Sequence, residues 1–331
     1  MNSLTYSTTG TGRRPAPLRT ASVLGLGHYL PDEVVSNDEI AQRLGVDDEW
    51  IVKRTGIRRR RRVAPGQGVT DLAIRAGRRA LADAQVEPDE IDLVVVASLS
   101  QDEMTPSAAP QVAYGLEALR AGAIDVGAAC SGWLSGLALT AGMIEVGRVD
   151  KVLLIGAEVL TRLADYDDRK TAALWGDGAG AVVLGCDGGG SVGPVVLSAD
   201  GGLADVITCT HEERLLRVEG HETFQTAVKR LTECTLAATE RAGWRLDDID
   251  LFIYHQANAR ILRAVAERLD LPAEKVADYI GETGNTSAAS IPLTLALLRE
   301  DGRLRPGQRL LLAAIGAGFT WGAGTVQWDV S

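Results

Sequence analysis

The chain runs to 331 residues, 46% of them apolar, enough to bury a large core and to set aside a disordered or fibrous reading; the length suits two domain-sized units or one duplicated unit. A formal net charge of -10, from 44 acidic against 34 basic residues, excludes a nucleic-acid binder with a broad basic face, so an anionic partner must meet a local patch of cations. The four cysteines form no CxxC pair and no metal-like cluster with the four histidines, which suits a reducing cytoplasm and predicts no metal site.

Residues 1–20, rich in Thr, Gly and Pro, read as a loose tail, and their Arg13-Arg14 pair is not followed by an apolar signal-peptide core. Next comes DDEWIVKRTGIRRRRRV, with Trp50, Arg54 and five consecutive arginines, Arg58 to Arg62; such a charge run is usually a solvated face. The segment PDEIDLVVVAS at 88–98 has a counterpart in LDDIDLFIYHQ at 246–256, each after an Ala-rich amphipathic stretch of helical period. Setting Ile91 on Ile249 defines an offset of 158 residues. The same offset places Lys151 of KVLLIGAEV on Arg309 of RLLLAAIGAG, and Cys130 on Ala288, close to Asn285 in GETGNTSAAS. Short Val, Leu and Ile runs between helical stretches predict buried strands in α/β layers. The chain thus divides into two similar α/β halves, 21–186 and 187–331, joined near the glycine-rich segment 187–193. Equivalent strand ends would face one another across a pseudo-symmetry axis. Cys130, His255 and Asn285 lie at or just beyond such ends, where open α/β sheets place ligands. The longest apolar stretches, such as 149–159, are broken by charge or glycine and fall short of the ~20 residues of a membrane helix.

In IDVGAACSGWLSGLALTAGMIEVG, Cys130 stands between an apolar run and a long helical stretch, which predicts a sulfur at a helix N-terminus. A thiol of pKa ~8.5 is only ~3% ionised at pH 7. A helix terminus contributes ~0.3 to 2 kcal/mol toward lowering that value, so a nearby histidine would have to help. Cys186, Cys209 and Cys234 read as small buried hydrophobes. Taken alone, His255 in DLFIYHQAN would be a structural histidine at a strand end, and Asn285 after Gly284 a turn residue. The glycines of WGDGAGAVVLG, 175–185, lack the GxxxxGK[ST] order of a phosphate loop and read as close-packing and turn positions.

Jointly these segments resemble the ketoacyl synthase III family of the thiolase superfamily, which includes polyketide priming ketosynthases. Asp125 to Trp133 follows the family's nucleophile pattern, with Gly127 the one departure, while HQAN at 255–258 and GNTSAASIP around Asn285 match its histidine and asparagine motifs. The similarity spans residues 21–328. It implies a thiolase-like fold, two duplicated α/β halves stacked as α-β-α-β-α. It also implies decarboxylative condensation of an acyl-CoA primer, a substrate and not a cofactor, with malonyl-acyl carrier protein (malonyl-ACP), which starts a fatty acid or polyketide chain. A cytoplasmic homodimer without membrane or nucleic-acid partners is implied as well.

By resemblance, Cys130 is the nucleophile. His255 Nε2-H and the Asn285 amide stabilise the enolate formed when malonyl thioester loses carbon dioxide, each such donor being worth ~2.7 to 4 kcal/mol. The N–H groups of Cys130 and Ala317 form the oxyanion hole, Ala317 standing where relatives usually carry glycine. Trp50 matches the position that stacks on adenine of CoA, Arg54 the one that meets its phosphates, and Arg169 a third CoA contact. Arg260 matches a carrier-docking position and shares a helix face with Arg263, whereas Gln225 replaces a common lysine. Thr105 aligns with a position that reaches into the partner's acyl pocket in related dimers, where phenylalanine restricts primers to short acyl groups. Threonine there predicts primers beyond acetyl. The lack of a second cysteine motif separates the chain from thiolases. The rival readings are an acyltransferase or starter-unit enzyme that passes the acyl group from Cys130 to another acceptor, and a silent scaffold subunit, against which the intact triad argues.

Overall fold

The computed structural model describes residues 19–330. Of the expected tail, 1–18 lie outside the described residues. Arg19 is already anchored, its N–H donating to Glu145 O at 3.0 Å and its Nε to Ile144 O at 2.9 Å.

The first half comprises β1 (Ser22–Tyr29), β2 (Glu33–Ser36), α1 (Asn37–Leu44), α2 (Asp48–Thr55), β3 (Arg59–Arg62), α3 (Val69–Ala84), β4 (Leu93–Ala97), α4 (Ala108–Gly115), β5 (Gly122–Val126), α5 (Gly132–Glu145), β6 (Val152–Val159) and β7 (Asp177–Gly185). The second comprises β8 (Ser191–Ala199), β9 (Ile207–Thr208), β10 (Arg217–Val218), α6 (Gly220–Arg241), β11 (Leu251–Tyr254), α7 (Ala259–Leu269), α8 (Ile280–Thr283), α9 (Ser290–Glu300), β12 (Arg309–Gly316) and β13 (Thr320–Gln327). The two main sheets are ordered β1-β7-β6-β4-β5 and β8-β13-β12-β11, beside the two-stranded antiparallel pairs β2-β3 and β9-β10. β4 runs parallel to β5 and β6, β11 runs parallel to β12, and the other pairings in both sheets are antiparallel.

The 158-residue repeat is therefore structural. It carries the 3₁₀ turn Pro88–Glu90 onto Leu246–Asp248, the turn Ala129–Ser131 onto Ser287–Ala289, and the start of α5 onto that of α9. It also carries a backbone peculiarity, since Ala129 (φ 45°) and Ser287 (φ 46°) both adopt the left-handed conformation just before their helices. The partner of β5 is reduced in the second half to one parallel bridge between Phe252 and Val276.

Five layers follow from which faces are apolar. On α3, Val69, Leu72, Ala73, Ala76 and Ala80 form an i, i+3, i+4, i+7 stripe that packs with Val112 of α4 on Val94, Val96, Leu153 and Ile155 of the first sheet. The opposite face of that sheet, with Val95, Leu154 and Val182, packs on Leu134 and Leu137 of α5 and on Ile291 and Leu295 of α9; those two helices also cover Ile253, Leu310 and Leu312 of the second sheet. The outer face of the second sheet, with Phe252, Tyr254 and Leu311, is closed by Leu231 of α6 and Ile261 and Val265 of α7. Alternate residues of one strand thus enter different cores, which is why β4, β6 and β7 read as continuous apolar runs. Among the described residues no helix is long and apolar enough to cross a membrane.

Candidate active site

Cys130 lies in the 3₁₀ turn that leads from β5 into α5, at the helix end anticipated from the sequence. The preceding motif residue Asp125 is structural, its carboxylate accepting from Ala108 N at 3.0 Å and Ala109 N at 2.7 Å at the start of α4. The turn is pinned to the β12–β13 connection. Ser131 Oγ and Thr320 Oγ1 are 2.8 Å apart, and Ser131 Oγ also donates to Ala128 O at 2.9 Å. The approach is so close that a Cβ on Gly316 would stand 2.8 Å from Cys130 N, so only glycine fits there. Ala317 follows directly and its N–H has no partner among the described residues. It is absent from the residues with positive φ, that conformation falling on Gly318 (φ 136°), so alanine carries no backbone penalty in place of the usual glycine.

His255 follows β11 immediately, its N–H donating to Ala313 O at 2.8 Å. The rest of HQAN holds this position. Gln256 is buried and fully engaged: Nε2 donates to Tyr254 O (2.9 Å) and Ala277 O (3.1 Å), and Oε1 accepts from Tyr279 N (2.8 Å). Asn258 caps α7 by accepting from Arg260 N at 2.9 Å and donates to Arg54 O at 3.1 Å, tying this segment to the end of α2. The one positional departure concerns Asn285. It follows the short helix α8, not a strand, and joins the first half through a single bridge to Trp175, with Asn285 N donating to Leu174 O at 2.8 Å and Gly176 N to Asn285 O at 3.0 Å. Its Oδ1 accepts from Ser287 N at 2.9 Å, which fixes the amide orientation, and Nδ2 has no partner among the described residues.

Cys130, His255, Asn285 and Ala317 line one cavity of about 770 Å³ together with Trp50, Arg54, Arg169 and Arg260. The buried His255 and Asn285 mark its floor, and the exposed Arg54, Arg169 and Arg260 mark its mouth. Arg54 stacks 3.9 Å above the Trp50 ring and Arg169 lies 5.5 Å from it. Arg260 stacks on Phe224 at 5.4 Å, and Arg263, one turn further on α7, is exposed but does not line the cavity. Thr105 and Gln225 are exposed and outside it. An apolar sector of the wall comprises Leu99, Ile207, Leu216, Val218 and Phe319.

Burial pushes the Cys130 thiol up to about 12; the Ser287 hydroxyl beside it pulls the other way and the Glu158 carboxylate adds to the rise. Burial alone pushes His255 down to about 3. Desolvation thus moves both groups toward their neutral forms, the thiol up and the imidazole down, against the lowered thiol expected from a helix end and a nearby histidine. Nδ1 of His255 is buried with no partner among the described residues. An orphaned acceptor is cheaper than an orphaned donor, so the proton belongs on Nε2.

Three further features lie outside what the sequence predicted. Cys209 is exposed and Cys186 half-buried; only Cys234 is the buried hydrophobe expected of all three. Glu158 is wholly buried at the end of β6, accepting from Leu99 N at 3.2 Å and Ser100 N at 3.1 Å, with Ala288 N at 3.4 Å. Its signal was a lone carboxylate inside the apolar run KVLLIGAEV. The arginine run is not a uniform solvated face either, because Arg60, at its centre, is 1% exposed.

A two-lobed thiolase-like α/β core with a cysteine at the start of a buried helix, facing a neutral histidine and an asparagine amide, defines a class of enzymes that carry acyl groups on a thioester. Comparison with known proteins narrows the class. The family model described as 3-oxoacyl-[acyl-carrier-protein (ACP)] synthase III matches residues 124–217, and the model of its C-terminal part matches residues 239–328. The chain is 45% identical to beta-ketoacyl-[acyl-carrier-protein] synthase III 2 of Streptomyces coelicolor, over 93% of this chain and 94% of that one. It is 42% identical to beta-ketoacyl-[acyl-carrier-protein] synthase III of Bradyrhizobium diazoefficiens, over 92% and 98%. Among solved structures it superposes on 3-oxoacyl-[acyl-carrier-protein] synthase III from Aquifex aeolicus with a TM-score of 0.90 at 37% identity, covering 93% and 100% of the two chains. The priming beta-ketosynthase of the R1128 polyketide pathway superposes with a TM-score of 0.91 at 34% identity, covering 97% and 100%. The chain belongs to the 3-oxoacyl-[acyl-carrier-protein] synthase III family.

Proposed function

We propose that this chain condenses an acyl-CoA primer with malonyl-ACP to give 3-oxoacyl-ACP, the step that starts a fatty acid or polyketide chain. The observation that carries the reading is the single cavity that joins Cys130, His255, Asn285 and Ala317 at its floor to an aromatic and arginine-lined mouth.

Trp50, flanked by Arg54 and Arg169, offers a stacking face and cations for the nucleotide and phosphates of CoA, while Arg260 and Arg263 offer an anionic carrier a basic strip on α7. Cys130 Sγ attacks the primer carbonyl, and the N–H groups of Cys130 and Ala317 receive the developing oxyanion. The C–S bond to CoA breaks, and the thiol proton departs with the CoA thiolate as free CoA. Malonyl-ACP then enters. As its carboxylate leaves as carbon dioxide, the thioester oxygen gains negative charge and is met by His255 Nε2-H and the free Asn285 Nδ2-H. The resulting carbanion attacks the acyl-cysteine carbonyl, the C–S bond to Cys130 breaks, and the leaving thiolate takes a proton from solvent to restore the thiol. A histidine that stays neutral is suited to this donor role, since an imidazolium would be discharged by the enolate.

The first sheet ends on β5, whose outer edge has no partner strand among the described residues, and Met104 (82% exposed), Tyr114, Leu119, Ile124 and Leu139 expose apolar surface on and around it. An unpaired edge beside exposed apolar side chains supports a homodimer built across β5. Thr105, exposed next to Met104, would then enter the partner's acyl pocket and leave room for primers longer than acetyl. The free thiols are in keeping with a reducing cytoplasm.

Intact-protein mass spectrometry with a panel of acyl-CoA thioesters, followed by malonyl-ACP, tests this reading on the wild type and Cys130→Ala. An acyl mass that requires Cys130 and disappears with release of carbon dioxide supports condensation and identifies the primer. An acyl mass that malonyl-ACP cannot discharge, but another acceptor can, replaces condensation with simple acyl transfer.

A further inference from the structure

The middle of the arginine run presents a feature that neither the chemistry above nor a solvated charge run uses. Arg60 on β3 is 1% exposed and has no carboxylate within ion-pair distance among the described residues. Burial lowers its pKa to about 10, so it remains charged at neutral pH. A cation buried without a counter-ion is costly, and an apolar side chain of similar size would pack there at less expense.

Its contacts say what the guanidinium does instead. Nη2 donates to Asn37 Oδ1 at 2.8 Å and to Ala173 O at 2.8 Å, and Nη1 donates to Val35 O at 3.2 Å. Asn37 passes the connection on, its Nδ2 donating to Asp48 Oδ1 at 2.7 Å and to Ile57 O at 2.8 Å. Asp48 opens α2, the helix that carries Trp50 and Arg54 into the cavity. In the other direction Ala173 precedes Leu174, whose carbonyl receives Asn285 N at 2.8 Å. The Arg60 backbone also lies under the same loop, since a Cβ on Gly284 would stand 3.1 Å from Arg60 Cβ, and one on Gly176 3.2 Å from it. One planar side chain therefore links two walls of the cavity through successive hydrogen bonds of 2.7 to 2.8 Å.

We propose that Arg60 is a positioning residue that keeps the Trp50–Arg54 wall and the Asn285 loop in one register, so that a primer seated at the mouth and an enolate formed at the floor meet their donors in the same conformation. The task needs a rigid fork with donors in several directions, which arginine has and lysine lacks. This inference rests on the roles given above to Trp50 and Asn285, so variants of those two residues accompany the test.

The experiment compares Arg60→Lys and Arg60→Met with the wild type in three readouts on the folded protein: KM for acyl-CoA in acyl-enzyme formation, carbon dioxide release from malonyl-ACP by pre-acylated enzyme, and the rate at which iodoacetamide alkylates Cys130. Both variants are expected to raise KM at least about tenfold and to slow carbon dioxide release by up to about 10²-fold, with alkylation unchanged. Lysine, which keeps the charge, should not rescue. Where Arg60→Met does not fold, Asn37→Ala cuts the link to α2 while keeping the cation, and should raise KM for acyl-CoA more than it slows carbon dioxide release. Folded Arg60 variants that lose thermal stability but keep wild-type KM and carbon dioxide release would overturn the proposal, and so would full rescue by lysine. Trp50→Ala and Asn285→Ala separate the two levels of argument. If they leave KM and carbon dioxide release unmoved, the site assignment fails; if they move them and the Arg60 variants do not, only this inference does.

Discussion

The neutrality of His255 can be measured directly, and it constrains the chemistry most. The side chain is 2% exposed, and burial takes its pKa from the ordinary 6.5 to about 3. In the unfolded chain the same imidazole takes up a proton near pH 6.5, so between that pH and about 3 the unfolded state binds one more proton than the folded state. Stability must therefore fall as the pH drops through this window, by about 1.4 kcal/mol per unit, while above pH 7 the histidine contributes no pH dependence. At pH 4.5 the gap is two units, and the loss attributable to this one residue is about 3 kcal/mol. Urea unfolding of the wild type and His255→Gln at pH 7 and pH 4.5 isolates it, because the carboxylates that titrate in the same range are common to both proteins. The wild type should lose about 3 kcal/mol more than the variant. A second assay reads the ring itself: in two-dimensional ¹H–¹⁵N spectra of the four histidines, the resonance lost in His255→Gln should belong to the Nε2-H tautomer and stay unshifted from pH 8 to pH 5. An imidazolium forming with a midpoint above about pH 5, or equal acid sensitivity of the two proteins, would refute the account of a neutral donor.

The remaining predictions concern Cys130 and Asn285, the backbone around Ala317, and the exposed Thr105. With its thiol pushed up to about 12, Cys130 should alkylate slowly at pH 7, and the rate should rise about tenfold per pH unit up to pH 10 without a plateau; a plateau near pH 7 would reveal a stabilised thiolate. Asn285→Ala should leave acyl-enzyme formation intact and reduce carbon dioxide release by about 10²- to 10³-fold, the loss of one preorganised donor, read by single-turnover assays of each half-reaction. Gly316→Ala places a methyl group 2.8 Å from Cys130 N and should abolish acylation, whereas Ala317→Gly should change it little, because Ala317 is already at an ordinary φ. Thr105→Phe should lower activity on medium-chain primers while sparing acetyl-CoA, measured as kcat/KM across a primer series.

How much of this was legible depended on the range of the signal. The 158-residue repeat was readable because equivalent elements reuse equivalent side-chain patterns, and the left-handed Ala129 and Ser287 show that it extends to the backbone. The motif residues were readable for a related reason: part of what orients each of Cys130, His255 and Asn285 sits beside it in the chain, Ser131 for Cys130, Gln256 and Asn258 for His255, Ser287 for Asn285, although each is also anchored to a distant strand or loop. What stayed hidden is decided by contacts far apart along the chain. Thr320 reaches Ser131 across 189 residues, and the Arg60 guanidinium reaches Ala173 across 113, so nothing local distinguishes either from an ordinary surface residue. The thiol is the clearest case. A helix N-terminus argues for a lowered pKa from local geometry alone, yet Cys130 sits half-buried on the cavity floor, where desolvation pushes the thiol up and outweighs a terminus worth at most ~2 kcal/mol. If Cys130 is the nucleophile proposed above, it reacts from the thiol, and its proton leaves in the event that forms the acyl bond. For such a mechanism, oxyanion donors held in place before the substrate arrives lower the barrier, and the Ser131–Thr320 contact ties the Cys130 turn to the connection that carries Ala317.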